Sequence, residues 1–504
     1  MPLPPSGHAG KTPPLRSSKF EDFPPLVWGR EPAAAAYDAV VVGSGPNGLA
    51  AAITLAEAGR SVCVIEGADC IGGGMRSDER TLPGFTHDVC SAVHALGVTS
   101  PFFRNTPLQD YGLEWVYPPT AAAHVLDDGA ALALKSLDET CAQLGVDGAA
   151  WRRLMGPLVA GGEKILQQTL GPFRLPRHPF LLTRFGLHGM QSAVRLASRW
   201  FQTDAAQGLF AGMAAHSILP LETSFTGAVG LMLLITAHLG GWPVARGGSQ
   251  QIANAMARRL VELGGEIVVG RTISAMADLP AHRAVLFDLS PGPISQIAGD
   301  ALPERFHRSL RKFRHGPGLF KIDYALDGPI PWKSEACRQA GTVHLGGPLA
   351  EVAAAERAPW DGCPAERPFV LVAQQSQFDP TRAPAGKQTG WAYCHAPAGS
   401  DFDFTERIEA QIERFAPGFR DLILAKKTMG PPAYAAYNPN YIGGDITGGV
   451  MDIWQLFTRP TCRLNPYTTP NRNIYICSAS TPPGGGVHGM CGYYAAQAAL
   501  KRCW

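Results

Sequence analysis

The stretch from Tyr37 to Glu66 constrains the fold more than any other part of this 504-residue chain. Asp38 to Val42 is an apolar, β-branched run of the length and composition of a buried strand. It leads into Gly43-Ser44-Gly45-Pro46-Asn47-Gly48, an Ala-rich helical segment from Leu49 to Ala58, and a second strand from Ser61 to Ile65. This is a βαβ unit of about thirty residues, the size such a unit needs. In the GxGxxG turn, Gly43 permits the tight bend and Gly45 lets the backbone approach a pyrophosphate without a Cβ clash. Gly48 allows the helix to pack closely on the sheet. The helix start offers free N–H groups and a positive dipole to phosphates. Glu66 ends the second strand, where a carboxylate accepts from ribose hydroxyls. A dinucleotide site built from Gly43, Ser44, Gly45, Pro46, Asn47, Gly48 and Glu66 is therefore expected.

The fingerprint alone does not separate NAD from FAD, but two further glycine clusters do. Ile71-Gly72-Gly73-Gly74-Met75-Arg76-Ser77 follows Glu66 directly and carries a cation. Near the other end, a strand from Asn473 to Ser478 runs into Thr481-Pro482-Pro483-Gly484-Gly485-Gly486-Val487-His488-Gly489-Met490 and then an Ala-rich helix. A helix starting at a glycine turn can aim its N–H groups at the N1–C2=O edge of an isoalloxazine, which turns negative on reduction. FAD is the cofactor this combination predicts.

A chain of this length exceeds a single core, and two domains are expected. Residues 106–240 read as a helical insertion with frequent aromatics, and α/β character returns at 241–299 and again at 441–504. Residues 300–440 are mixed and Pro-rich. The expected fold class is α/β: a Rossmann-type FAD-binding domain (37–105, 241–299, 441–504) interleaved with a mixed α+β substrate domain (106–240, 300–440). Residues 1–36, with prolines at 2, 4, 5, 13 and 14, read as a disordered extension. The uncharged run from Thr223 to Ala245 is long enough to span a bilayer, yet its glycines and Pro243 favour a buried helix ending at Gly240-Gly241. A net charge of +2 gives no electrostatic case for nucleic acid. The 11 cysteines include no CxxC pair and no zinc-ligand spacing, so no metal is expected. Their scatter favours reduced thiols, and no secretory signal is visible. The expected location is cytoplasmic, with membrane association as a further option, or mitochondrial in a eukaryote.

Taken together, Tyr37–Ala50, Gly72–Ser77, Gly84–Leu96, Gly241–Ile252, Gly316–Leu326, Asn438–Gly444 and Ser478–Gly492 resemble the phytoene desaturase-related flavoproteins. These lie within the amine-oxidase-like FAD superfamily, and the resemblance points to the branch called pyridine nucleotide-disulfide oxidoreductase domain-containing protein 2. Disulfide chemistry does not follow from that name, because the Gly72 loop carries no redox cysteine pair. Amine oxidases of the superfamily typically carry Arg-Val-Gly-Gly-Arg in this loop. Here Cys70 and Gly74 stand at the arginine positions and only Arg76 remains, which favours the desaturase and saturase branch. The resemblance implies flavin contacts at Gly67, Gly73, Gly74, Met75, Arg76, Ser480, Gly486, Val487 and His488. It also places Ile273 near the adenine end and returns the chain to the flavin domain at Asp288–Pro291.

In such enzymes a hydride leaves carbon for the flavin and a proton leaves the neighbouring position, so the protein mainly orients substrate and excludes water. His488 is the first catalytic candidate, with helix capping or flavin packing as the bland alternative. His87 and His94 follow the Gly72 loop closely enough to border the same pocket, and each is alternatively a structural hydrogen-bonder. His216 and His238 read as core histidines, and Lys321 and Asp323 as a solvated strand face, with a Lys–Asp pair lining a substrate sheet as the alternative. Between Trp151 and Trp200 there are eight Lys/Arg and one acid, interleaved with Phe173, Phe180 and Phe185. That segment, and Arg305–Arg314, have the character of surfaces that rest on anionic membranes, or else of ordinary solvated helix faces. The expected activity is dehydrogenation of a small hydrophobic substrate such as an isoprenoid, polyene or acyl chain. A saturase, isomerase or C–N oxidase is the alternative, and a non-catalytic flavoprotein scaffold or redox sensor is the alternative from another class. The oligomeric state is not encoded in any of these features.

Overall fold

The computed structural model describes residues 23–127, 129 and 131–504. In chain order its main elements begin with β1 (Ala36–Val42), α1 (Pro46–Glu57), β2 (Val62–Ile65), β3 (Thr120–Val125) and β4 (Ala131–Leu134). Then come α2 (Asp204–Ala215), α3 (Thr226–Gly240), α4 (Gln250–Glu262), β5 (Glu266–Val268), β6 (Ala281–Phe287) and β7 (Gly318–Leu326). The remainder comprises β8 (Ala340–Leu345), β9 (Val370–Ala373), β10 (Gln388–Ala396), α5 (Thr405–Phe415), β11 (Ile423–Met429), β12 (Ile474–Ile476) and α6 (Met490–Cys503).

Two sheets organise the chain, and the fold is mixed α/β with a Rossmann-like unit. The first has the order β12-β6-β1-β2-β5 and is parallel throughout. Its strands are short apolar runs because helices cover both faces, and Ala39, Val40 and Val41 are fully buried. Register aligns the strand ends, pairing Val42 with Ile65 and Phe287, Ile65 with Val268, and Phe287 with Ile476. The residues that follow these ends, Gly43, Glu66, Val269, Asp288 and Cys477, therefore share one edge. In an open parallel sheet that edge is where ligands bind.

The second sheet has the order β11-β7-β10-β9-β8-β3-β4 and is antiparallel except for the β8–β3 pair. One face packs Phe320, Ile322, Val343, Val372 and Cys394 against Ile408 and Ile412 of α5. The opposite face turns Lys321, Asp323, Trp391, Tyr393, His395 and His344 inward, toward α2, α3 and the loop after the Gly72 cluster.

Two expectations change here, and one of two alternatives is decided. Gly29 bridges Val268, and its carbonyl accepts from the Val269 amide at 3.0 Å, so the chain joins the sheet before Tyr37. Backbone pairing at a sheet edge leaves no side-chain signature. Residues 1–22 of the expected extension lie outside the described residues. Lys321 and Asp323 form no solvated face: both are buried, 1% and 0% exposed, because the first domain covers that side of β7. The basic stretch at 305–314 forms the helix Glu304–Arg311, with Phe306 and Leu310 packed under the first sheet, which is the ordinary amphipathic arrangement. As expected, the uncharged run forms a buried helix, α3, ending at Gly241, and no helix among the described residues is long and apolar enough to cross a membrane.

Candidate functional site

The glycine turn is built as tightly as its spacing predicts. Gly43 has φ of 101°, which only glycine adopts freely, and a Cβ on Gly48 would sit 2.1 Å from the Gly43 carbonyl oxygen. A Cβ on Gly45 would sit 2.6 Å from Asp288 Oδ2. Helix α1 starts at Gly45, which has no side chain to cap it; Pro46 brings no N–H, and the Gly48 amide donates to Asp288 at 2.8 Å, so the Asn47 amide is the one in the first turn left for a ligand. Glu66 closes the crevice: its Oε2 accepts from the Ser44 amide at 2.9 Å and the Ser44 hydroxyl at 2.6 Å. Its Oε1 accepts from Arg76 at 3.1 Å and from the Ala68 amide at 3.0 Å.

The other two clusters come to the same edge. A Cβ on Gly73 would lie 3.1 Å from the Gly45 Cα, and the Gly72 amide donates to the Ser44 carbonyl at 3.1 Å. Met75 is fully buried, a Cβ on Gly74 would lie 3.0 Å from the Tyr441 hydroxyl, and the Arg76 guanidinium lies over the Tyr437 ring at 5.5 Å. Gly67 faces Thr272 Oγ1, one residue before the buried Ile273. At the far end of the chain, α6 lies directly on α1, since a Cβ on Gly492 would meet the Asn47 carbonyl oxygen at 1.8 Å and one on Gly489 would meet Ala50 Cβ at 3.0 Å. The turn before α6 is thus a neighbour of the first glycine turn. Within it the Ser480 and Ser478 hydroxyls are 2.6 Å apart, Gly486 has φ of 125°, and the Val487 carbonyl oxygen lies 3.6 Å from where a Gly97 Cβ would be.

His488 is wholly buried in this turn. Its Nδ1 accepts from the Met490 amide at 3.0 Å while Nε2 donates to the Gly484 carbonyl at 3.1 Å, so both ring nitrogens are committed. Burial pushes its pKa down to about 4, so it is neutral near pH 7. In this geometry it clasps the glycine turn and orients α6.

These residues fit FAD. Two glycine-rich helix starts, a glycine cradle that side chains would fill, a carboxylate at the end of β2 and the buried unpartnered Asn47 Oδ1 and Arg76 Nε converge on one crevice. FAD held there would supply hydride acceptance; everything else is done by the chain's own groups.

His87 and His94 belong to a buried ionic network between the two sheets. His87 Nε2 lies 2.8 Å from Thr81 Oγ1 and its Nδ1 3.7 Å from Asp323 Oδ1, while His94 Nε2 lies 2.9 Å from Ser249 Oγ. Burial lowers both to about 4. Lys321 Nζ donates to the main-chain oxygens of Asp88 and Val89 at 2.6 and 2.9 Å and pairs with Asp323 at 2.9 Å. Arg80 binds the other Asp323 oxygen at 3.0 Å. Asp88 pairs with Arg382 at 3.1 Å, which in turn holds Asp379 at 2.9 Å. Burial alone would raise the Asp88 carboxyl, but Arg382, the Ser249 amide and the Ser77 hydroxyl hold it below the usual range. Further along the same sheet face, His395 Nδ1 bonds Glu356 at 2.8 Å, and His216 and His344 share a ring-to-ring hydrogen bond at 3.2 Å. Asp88, Arg382, Trp391, Tyr441 and the Glu356–His395 pair escaped the sequence reading. Only the alternation of polar residues with Ala392 and Cys394 on β10 hinted at them.

A family model described as an NAD(P)-binding Rossmann-like domain matches residues 41–105. The chain is 24% identical to pyridine nucleotide-disulfide oxidoreductase domain-containing protein 2 of Mus musculus, with 92% of this chain and 93% of that protein aligned. It is 21% identical to a limonene dehydrogenase polypeptide of Castellaniella defragrans, over 91% of this chain and 94% of that one. The solved structure of putrescine oxidase bound to putrescine superposes with a TM-score of 0.59 at 18% identity, covering 92% of this chain and 99% of that one.

Proposed function

From the premise that this chain is an FAD oxidoreductase of the amine-oxidase-like superfamily, we propose that it dehydrogenates a carbon–carbon bond of a hydrophobic, uncharged substrate. The observation that carries this reading is that, among the described residues, the buried acids meeting the inward face of the second sheet are paired. Asp323 is held by Lys321 and Arg80, Asp88 and Asp379 by Arg382, and Glu356 by His395. A substrate ammonium entering there would meet no free carboxylate, and a buried unpaired charge costs several kcal/mol. The same face offers Leu319, Leu371, Trp391 and Tyr393, which suit an apolar chain. Trp391 is fixed by its indole N–H, which donates to the Asp88 carbonyl at 3.0 Å, so it serves as a rigid wall that orients substrate and excludes water.

A surface patch supports supply from a lipid phase. Phe173, Leu175, Phe180 and Trp454 are 86%, 88%, 91% and 78% exposed, and the Phe173 and Phe457 rings meet at 6.4 Å. Arg177 is exposed in the same segment, and Arg195 and Arg199 are exposed on the helix Ala193–Trp200 that follows in sequence. Exposed aromatic and aliphatic side chains in a chain region that also carries exposed arginines suit the interface of an anionic bilayer.

C–N oxidation is the second reading, favoured by the likeness of fold to putrescine oxidase. The test is anaerobic titration of the FAD-loaded protein with polyenes, terpenes and long acyl compounds on one side and primary amines on the other, following the flavin's visible absorbance at about 450 nm. Bleaching by the first group supports dehydrogenation, and bleaching by amines alone overturns it.

A further inference from the structure

Asp288 stands where the cofactor's diphosphate has to come. It follows β6 at the carboxyl edge of the first sheet and is one strand away from Gly43. Its Oδ2 accepts from the Gly48 amide at 2.8 Å and lies 2.6 Å from where a Gly45 Cβ would be. Gly45 is the glycine whose missing side chain lets the backbone approach phosphate oxygens, and Gly48 is the one that packs the helix on the sheet. The position is therefore occupied by an acid of the protein itself.

The surroundings do not neutralise it. From β2 the Glu66 carboxylate faces it, and α1 contributes the Gly45 and Gly48 amides. Cys477 after β12 and Cys491 on α6 lie close enough to feel its charge, and burial keeps both thiols protonated. Among the described residues no lysine, arginine or histidine pairs with it; Arg76, the cation of the neighbouring loop, is spent on Glu66. Burial pushes the Asp288 carboxyl up to about 7, partly offset by the Gly48 amide. A diphosphate bound beside Gly45 would add further negative charge to that crevice.

Resting on the FAD reading, we propose that Asp288 is a proton-carrying positioning residue: it holds the cofactor as a neutral carboxylic acid, donating to a diphosphate oxygen, so that binding of FAD above neutral pH takes up one proton. The proton comes from solvent, goes to the free Asp288 oxygen, and no covalent bond in the cofactor changes. The carbonyl oxygen of the acid keeps the Gly48 amide, and its hydroxyl supplies the hydrogen bond that the crowded helix start would otherwise withhold.

The test is calorimetric titration of the full-length apoprotein with FAD at pH 6 and pH 8, each in two buffers of different ionisation enthalpy. The expected result is about one proton taken up per FAD at pH 8 and about none at pH 6, with Kd rising toward about tenfold per pH unit above neutrality. Asp288→Asn, which keeps the acceptor for Gly48 and offers an N–H in place of the hydroxyl, is expected to abolish both the uptake and the slope. FAD binding with no proton uptake in the parent protein at either pH overturns the proposal and leaves the FAD reading standing. The same uptake in Asp288→Asn also overturns it. Folded parent protein that takes no FAD even at pH 6 overturns the FAD reading itself. If the variant fails to fold, the parent's two-buffer measurement still decides.

Discussion

Replacing Gly492 with alanine tests whether the two ends of the chain really form one site. The added Cβ would lie 1.8 Å from the Asn47 carbonyl oxygen, with 3.0 Å the closest such approach real structures tolerate, so α6 must retreat from α1 by at least 1.2 Å (3.0 minus 1.8). The obstacle is main chain, so no side chain can rotate away. Overpacking of this kind costs about 1–3 kcal/mol, which for a chain of this size corresponds to a fall in Tm of roughly 1–3 °C. The retreat also carries the His488 turn away from the first glycine turn, because Gly489 sits against Ala50 and Phe102. FAD affinity should therefore fall together with stability, by about tenfold for each 1.4 kcal/mol of strain relieved at the site's expense. Thermal melts with and without FAD, and fluorescence titration of released flavin, measure both. Gly186→Ala is the control: it lies in a helix with nothing within 4 Å of the new Cβ, and gains up to about 1 kcal/mol. Parent-like melting and parent-like FAD affinity in Gly492→Ala would refute the convergence of the two turns.

Arg382→Met should destabilise the fold by about 3–5 kcal/mol, because it leaves Asp88 and Asp379 as buried unpaired acids, and a urea midpoint reads the loss directly. Stability should also fall in acid. His87, His94 and His488 sit at about 4 in the fold against an ordinary value of 6.5, so the unfolded chain binds more protons between those values. Their contribution is complete above pH 6.5 and is lost toward pH 4 at up to about 1.4 kcal/mol per pH unit per histidine, which urea melts from pH 7 to 5 would show. At the surface, Phe180→Ser with Trp454→Ser should abolish co-sedimentation with anionic vesicles while leaving the melt unchanged, and undiminished binding would dismiss the patch.

The first domain was readable because its physics is local. Gly43, Gly45 and Gly48 announce themselves by spacing, and β1 and β2 by continuous apolar runs. The terminal glycine turn was readable for the same reason, although its proximity to α1 had to be inferred. The polar network was hidden because burial of a charge is a property of what covers it. Lys321 alternates with Phe320 and Ile322 as a solvated strand would, and only the loop at Asp88–Val89, more than two hundred residues away in sequence, takes it out of water. His488 shows the converse. Its position in the turn suggested chemistry, whereas the Met490 amide and Gly484 carbonyl use both of its nitrogens. Asp288 was foreseen only as a point where the chain returns, since no spacing rule reports what an acid meets across a strand.

The contact between the second sheet and the loop at Asp88–Val89 is made by buried charged groups, and that bears on how a substrate would enter. Asp88 alone is gripped by Lys321 and Trp391 at its main-chain oxygen and by Arg382 at its carboxylate. These side chains come from two strands of the second sheet and from the segment between them. Opening the domains as a hinge would expose or separate several buried charges at once, and breaking even one such pair costs about 3–5 kcal/mol. Domain opening is therefore an expensive route to the flavin edge, and movement of surface elements that carry no buried charge is a cheaper one. The segment from Gly171 to Met190 holds no buried ion pair among the described residues: of its large apolar side chains Phe173, Leu175, Phe180, Leu187 and Met190 are exposed and Phe185 alone is buried at 8%, while Arg174 ties it to Tyr494 of α6 at 3.0 Å. On the proposed reading, in which a hydrophobic substrate comes from a bilayer, that segment is the surface it would meet first, and its displacement would leave the buried ion pairs intact.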